Sequence, residues 1–185
     1  MTYHISPNLT SWQQQIIFGT VLGGSSIIKP QKGRNCYLSM RDKNEKWIQC
    51  KVQELSVLSA PTSYHRSGNY SRWHSICSPI FNDYYGLFYD ADGNRKIEMG
   101  VLDSLRDVGL AVWFIDAGKL QDDCVIINVN NLGLKGAELV MEYFHAIDLN
   151  SFIIKIRKSL RIKMDDLSSK QFITLIGHCI PKFMM

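Results

Sequence analysis

The residues best placed to do chemistry in this chain are cations. Between Ser151 and Asp165 it carries Lys155, Arg157, Lys158, Arg161 and Lys163 with no acid among them. As a hairpin pairing residues 151–158 with 160–164, this stretch turns Phe152, Ile154 and Ile156 to one face together with Leu160, Ile162 and Met164. Lys155, Arg157, Arg161 and Lys163 then share the other face, with Lys158 at the turn. Like charges opposed across strands repel, so an unneutralised cationic ribbon points to an external polyanion. A two-stranded ribbon also has the width of the DNA major groove; a merely solvated edge hairpin is the alternative. No other set of reactive residues forms a comparable pattern. His65 and His74 have no identifiable acidic or nucleophilic neighbour, which suits them to phosphate or base contacts better than to general-base work. Asp90-Ala91-Asp92-Gly93-Asn94 has the start of a calcium loop but Met99 where the closing Glu belongs, so it reads as a turn. Cys36, Cys50, Cys77, Cys124 and Cys179 include neither a CxxC pair nor a His at zinc-ligand spacing, and they read as buried apolar thiols in a reducing compartment.

The elements that must position these cations follow a repeated plan. Thr10-Ser11-Trp12-Gln13 is a capping box, so a helix starts there and runs through Ile16, Ile17, Val21 and Leu22. Gly19 and Gly23, four apart, clear a groove on it for a second backbone. A strand over 27–31 joins through Lys32-Gly33-Arg34 to a second at 35–41. There Cys36, Leu38 and Met40 face a core while Tyr37, Ser39 and Arg41 face outward; with Lys29 this makes a first basic hairpin. A helix from Asp42–Glu45 to Ala60 is expected to end at Pro61. A hairpin of 62–66 and 70–77 follows, turning at 67–69, with Arg72 and His74 opposite in direction to Trp73 and Ser75. A short helix then starts at Pro79, capped by Ser78. In the second half a helix capped by Asp103 or Ser104 runs to Gly118. A strand at 124–129, a helix from Leu132 or Gly133 to about Ile147, the basic hairpin and a last helix from Ser168 or Ser169 to Ile180 complete it. Helix, hairpin, helix, hairpin, helix occurs twice, which divides the chain into halves at 1–102 and 103–185.

At 185 residues and 45% hydrophobic content the chain suits one domain or two pseudo-repeats sharing a core, and its net charge of +4 is mildly polyanion-seeking. Its first residues carry no basic leader or long apolar run, and no stretch reaches membrane-spanning length without charges. The expectation is a soluble, intracellular protein, cytoplasmic or organelle-encoded and not secreted, without membrane contact.

Leu9-Thr10-Ser11-Trp12-Gln13-Gln14-Gln15-Ile16-Ile17-Phe18-Gly19 resembles the opening Leu-Thr-x-x-Gln-Gln-x-Ile-Ile-x-Gly of single-chain LAGLIDADG homing endonucleases. Val21-Leu22-Gly23-Gly24-Ser25-Ser26 is similar to the family's Leu-Leu-Gly-Asp-Gly-Ser, and Leu110-Ala111-Val112-Trp113-Phe114-Ile115-Asp116-Ala117-Gly118 to its Leu-Ala-Ile-Trp-Phe-Met-Asp-Asp-Gly. Ile180-Pro181-Lys182-Phe183-Met184 resembles the closing Ile-Pro-Ser-Met. The resemblance spans nearly the whole chain and implies an α+β fold: two pseudo-symmetric αββαββα-type halves, motif helices side by side, and sheets that form a saddle over double-stranded DNA. It implies a monomer with internal pseudo-twofold symmetry, motif-helix contacts at Gly19, Gly23, Ala111 and Phe114, and DNA contacts from Lys29, Lys32, Arg34, Tyr37, Ser39, Arg41, Arg72, His74, Lys155, Arg157, Lys158, Arg161 and Lys163.

The family mechanism puts one magnesium-binding carboxylate at the foot of each motif helix. Those positions hold Gly24 and Ala117. Asp116 precedes the second one and is rotated from it by about 100° of helix, which should turn its carboxylate away; family main-chain ligands fall on Gly23 and Asp116. The leading expectation is therefore a DNA-binding protein that cuts poorly or not at all and needs no cofactor. The alternatives are an active endonuclease using Mg2+, with Asp116 serving or the two positions altered, and a maturase that binds structured intron RNA.

Overall fold

A computed structural model describes residues 8–31 and 33–181. Helix α1 (Ser11–Leu22) begins where the capping box puts it. The Gln13 amide donates to Thr10 Oγ1 at 3.2 Å and the Thr10 amide donates back to Gln13 Oε1 at 3.0 Å. Strands β1 (Ser26–Ile28) and β2 (Tyr37–Asp42) follow, then α2 (Glu45–Glu54), β3 (Ser59–Ser67), β4 (Tyr70–Ser75) and α3 (Ile80–Phe88). The alternation in β2 sorts as expected, with Cys36, Leu38 and Met40 buried and Arg41 exposed. Helix α2 is shorter than its apolar spacing suggests. It starts after Asn44, whose side chain accepts from the Trp47 amide, and it stops at Glu54. One 3-10 turn at Ser56–Leu58 replaces its expected last stretch, and Pro61 lies inside β3. The sheet order β1-β2-β4-β3 makes β3 an edge strand, the one place in a sheet where a missing N–H is tolerated. Before α3, Ser78 supplies its carbonyl to the Phe81 amide, while its hydroxyl, expected as the cap, is buried without a partner.

The second round comprises α4 (Met99–Asp103), α5 (Asp107–Ala117), β5 (Gly118–Gln121), β6 (Cys124–Asn128), α6 (Gly133–Ala146), β7 (Ser151–Ile156), β8 (Ser159–Met164) and α7 (Asp166–Ile176). Its sheet order, β5-β6-β8-β7, repeats that of the first. The αββαββα plan therefore occurs twice, with α4 as the connector. One compact unit is Ser25–Gly86 with the chain up to Gln14; the other is Gln15–Gly24 with the chain from Leu87 onward. Most of α1 thus belongs to the unit that contains α5.

Three features of this second round differ from expectation. Strand β5 was not anticipated, because Gly-Lys-Leu-Gln has no period and is largely exposed. Helix α7 is capped by the Asp165 carboxylate, which accepts from the Ser168 amide, and it ends at Ile176 before a 3-10 turn. Helix α5 starts at Asp107 without a side-chain cap of its own, because its cap comes from α1. Buried Gln15 accepts from the Arg106 amide through Oε1 at 2.7 Å and donates from Nε2 to the Ser104 carbonyl at 2.9 Å. Gln15→Leu removes both bonds and leaves a donor and an acceptor unpaired, so a loss of about 1–3 kcal/mol in urea unfolding is expected.

All five cysteines are free; Cys36 and Cys124 are buried, Cys50 and Cys179 half-buried, and Cys77 is exposed, contrary to a uniformly buried set. Burial raises the thiol pKa of Cys36, Cys50 and Cys179, and the bond to the Asp166 carboxylate raises that of Cys124, so none of these four is poised as a thiolate. Asp90 closes a turn by accepting from the amides of Asp92 and Asn94, as expected in place of a calcium loop. Among the described residues no helix is long and apolar enough to cross a membrane.

Candidate nucleic-acid interface

Cross-strand partners share a face of a sheet, so the ladders fix which side chains stand together. On the outer face of the first sheet, Arg41 of β2 lies directly opposite Arg72 of β4, and Arg72 opposite His65 of β3. The next row is Ser26, Ser39 and His74, and Tyr37 pairs with Ile28. His74 lies edge-on between Tyr37 and His65, with ring centroids 6.2 Å apart in both cases. The Arg41 guanidinium stacks 3.7 Å from the centroid of Tyr70. Lys29 sits 5.5 Å over Tyr85, and Arg34 is exposed. Arg66 is engaged by Glu45 at 3.5 Å, whereas the Arg41–Arg72–His65 row contains no acid. Lys32 lies outside the described residues. His65 thus shares a row with Arg41 and Arg72, one row along from His74.

The second sheet corrects the expected sidedness. Its hairpin turns on two residues, Arg157 and Lys158, with Arg157 at a φ of 57°, so that Ile156 pairs with Ser159. Ile154 then opposes Arg161, Phe152 opposes Lys163, and Lys155 opposes Leu160. The expected pairing began one residue later, and a one-residue slip carries a strand's side chains to the other face. Ser151, Ile162 and Met164 are buried on the inner side, which Lys155 shares near the hairpin tip, where it is exposed. Lys155 therefore does not stand with Arg161 and Lys163. Their face carries Phe152, Ile154 and Ile156 instead, with Asn128 opposite Arg161 and the row Lys119–Ile126–Lys163 beside it. Arg157 and Lys158 remain exposed at the tip. Lys119 and Asn128 were missed, since a single Lys in an aperiodic strand gives no pattern to read.

The feet of α1 and α5 meet inside one compact unit. A Cβ on Gly19 would fall 2.8 Å from Val112 Cβ and 3.0 Å from the Trp113 nitrogen, and closer still to the Gly109 carbonyl oxygen. One on Gly23 would meet Asp116, whose Oδ2 would be 3.0 Å away. The face of α5 that receives α1 is thus Gly109, Val112 and Asp116. Phe114, expected there, instead packs edge-on against Phe172 of α7 at 5.7 Å, because two positions of helix separate it from Val112 by about 200°. Ala111 is buried one position round from Val112. Asp116 is not simply turned away: its carboxylate group covers Gly23 on the facing helix. The last carbonyls of α1 are taken by donors, Arg95 Nη1 on Val21 at 2.6 Å and Asn131 Nδ2 on Leu22 at 3.3 Å. Burial lowers the Arg95 pKa from its ordinary value.

Below α5 lies a cleft of about 240 Å³ lined by Ala117, Gly118, Lys119, Ile126, Asn128 and Arg161. The Arg161 Nε is buried there without a hydrogen-bond partner, and Asn128 turns its Oδ1 to the Asn130 amide, leaving its NH2 as the free end of the side chain. Every charged group in this lining is a cation. Magnesium demands near-octahedral oxygen ligands, commonly one or two carboxylates. Here Gly24 and Ala117 have no donor, Asp116 is packed on Gly23, and Lys119 and Arg161 would repel the ion. Among the described residues no three His, Cys, Asp or Glu side chains converge on a metal position. The residues present do not fit the family's metal. Gly24 is more than a missing carboxylate: it has a φ of +115°, a conformation that L side chains rarely adopt, although nothing lies within 4 Å of its Cβ position. Gly24→Asp is therefore expected to cost about 1–3 kcal/mol of stability, read as a melting-temperature drop of roughly 2–12 °C.

The homing endonuclease I-WcaI bound to its DNA recognition sequence has a similar structure, with a TM-score of 0.84 at 18% identity over 96% of this chain and 86% of that one. I-DmoI in complex with DNA and Mn matches with a TM-score of 0.62 at 11% identity, over 90% and 96% of the two chains. The N-terminal LAGLIDADG domain of DUF199/WhiA matches at 0.58 and 13% identity, over 90% and 81%. At these identities the likeness speaks for the fold alone. No curated protein matches the sequence significantly. The LAGLIDADG DNA endonuclease family profile aligns with residues 14–172, through both motif helices and both sheets; the chain belongs to that family.

Proposed function

We propose that this protein recognises a specific double-stranded DNA site and does not hydrolyse it. The observation that carries the reading is the foot of α5, where the family's carboxylate position is Ala117 and the lining charges are Lys119 and Arg161. A cationic cleft suits a DNA phosphate directly and has no need of a bridging metal. The outer sheet faces supply the rest: Arg41, Arg72, Lys163, Arg157 and Lys158 as phosphate or guanine contacts, with Tyr37, Ser39, His65 and His74 at base edges or backbone. Lys29 and Arg34 extend the first of these surfaces. Residues 1–102 and 103–185 act as two half-site readers, so one chain suffices as a monomer. Five free thiols suit a reducing, intracellular compartment.

The test is fluorescence anisotropy with duplexes selected from a randomised library, alongside the matching single strands and a structured intron RNA. Preferential duplex binding, unchanged when EDTA replaces magnesium, is expected. Preference for the RNA, or affinity that collapses in EDTA, overturns the proposal.

A further inference from the structure

Phe152, Ile154 and Ile156 form an apolar row along β7 on the face that carries Arg161 and Lys163. Phe152 is 42% and Ile156 39% exposed, on a strand at the sheet's edge. An exposed apolar edge strand is normally a pairing liability, so a row kept on the same face as unneutralised cations calls for an occupant that offers both anionic and apolar contacts. Duplex DNA does so in its major groove, where thymine alone of the four bases presents a methyl group beside the phosphate walls. The spacing agrees. Alternate residues of a strand stand about 6.8 Å apart, which is two steps of the 3.4 Å base-pair rise.

We infer that Phe152, Ile154 and Ile156 read thymine methyl groups at alternate base pairs of the stretch contacted by the second sheet. This rests on the duplex-binding reading above and adds to it the base chemistry that is recognised. The outer face of the first sheet has no such row: β2 shows Tyr37, Ser39 and Arg41 there, β4 shows Arg72 and His74, and a single isoleucine, Ile28, stands opposite Tyr37. The thymine requirement should therefore be confined to one half-site.

The experiment compares a selected duplex with the same duplex carrying deoxyuridine for thymidine, which deletes only the methyl groups. Wild-type protein is expected to lose about fourfold in affinity per contacted methyl, the equivalent of about 0.8 kcal/mol for each buried carbon. A Phe152→Ser/Ile156→Ser double variant should keep the dependence only at the base pair that Ile154 faces, and Ile156→Ser alone should lose it at one position only. Both residues are about two-fifths exposed, and circular dichroism checks that the variants fold. Equal wild-type affinity for the two duplexes overturns the inference while leaving duplex binding intact, as does an unchanged ratio in both variants. Absence of any duplex binding by the wild type overturns the underlying reading as well. Concentration-dependent dimerisation that the double variant abolishes would assign the row to a second copy of the chain and also overturns the inference.

Discussion

Gly19→Val is expected to lose about 3 kcal/mol of stability, a fall in melting temperature of roughly 6–12 °C for a chain of this size. The new Cβ would be driven into the Gly109 carbonyl oxygen and within 3.0 Å of Val112 and Trp113 atoms. Two of those three are backbone, so no rotamer change relieves the clash and α1 must move off α5. The same displacement strains the Gln15 bonds that cap α5, so the loss should be cooperative with Gln15→Leu in a double-mutant cycle. Gly100→Ala serves as the control. Nothing lies within 4 Å of that Cβ position in helix α4, and alanine there should be neutral or stabilising by about 0.4–1 kcal/mol. Equal effects at the two glycines would contradict the close approach of the motif helices.

The second large effect is on binding. If the two faces together neutralise about six to ten phosphates, affinity should fall by roughly 10³–10⁵ between 50 and 200 mM salt. Arg161→Gln and Lys163→Gln together should lower the slope of log affinity against log salt by about 1.8, and Arg41→Gln with Arg72→Gln by a similar amount. Lys155→Gln is the discriminating control, because the hairpin register puts Lys155 on the face opposite Arg161. It should leave the slope nearly unchanged. A Lys155 effect as large as that of Arg161 would mean that the sheet does not bind through its outer face.

The fold was legible wherever a residue's role is local. Thr10 and Gln13 state their cap within four positions, and Cys36, Leu38 and Met40 state their face by alternation. What failed depends on distant partners. The start of α5 could not be read because its cap is Gln15, 91 residues away. The length of α2 was overestimated because apolar spacing continues through Leu55 and Leu58 after the helix has given way to a 3-10 turn and the edge strand that holds Pro61. The sidedness of the basic hairpin hung on a single choice, whether Ser159 or Leu160 begins β8, and either choice preserves the alternation within each strand. At the site, the loss of both family carboxylates was visible at Gly24 and Ala117 once the motifs were aligned. That Gly24 holds a backbone that L side chains rarely adopt, and that Lys119 and Arg161 line the space beneath Ala117, needed the chain to be folded.

Restoring carboxylates sharpens this point. An Ala117→Asp side chain would enter a cleft already lined by Lys119 and Arg161, where an ion pair competes with any metal, and Gly24→Asp is opposed by its backbone. The double variant should therefore regain little cutting.

The most direct measurement is a plasmid assay on a selected target, incubated with saturating wild-type protein and either magnesium or manganese, with binding followed on the same samples by gel shift. Full occupancy of the site with the plasmid remaining supercoiled is the expected result. Nicked or linear product appearing at the bound site in step with occupancy would contradict recognition without hydrolysis.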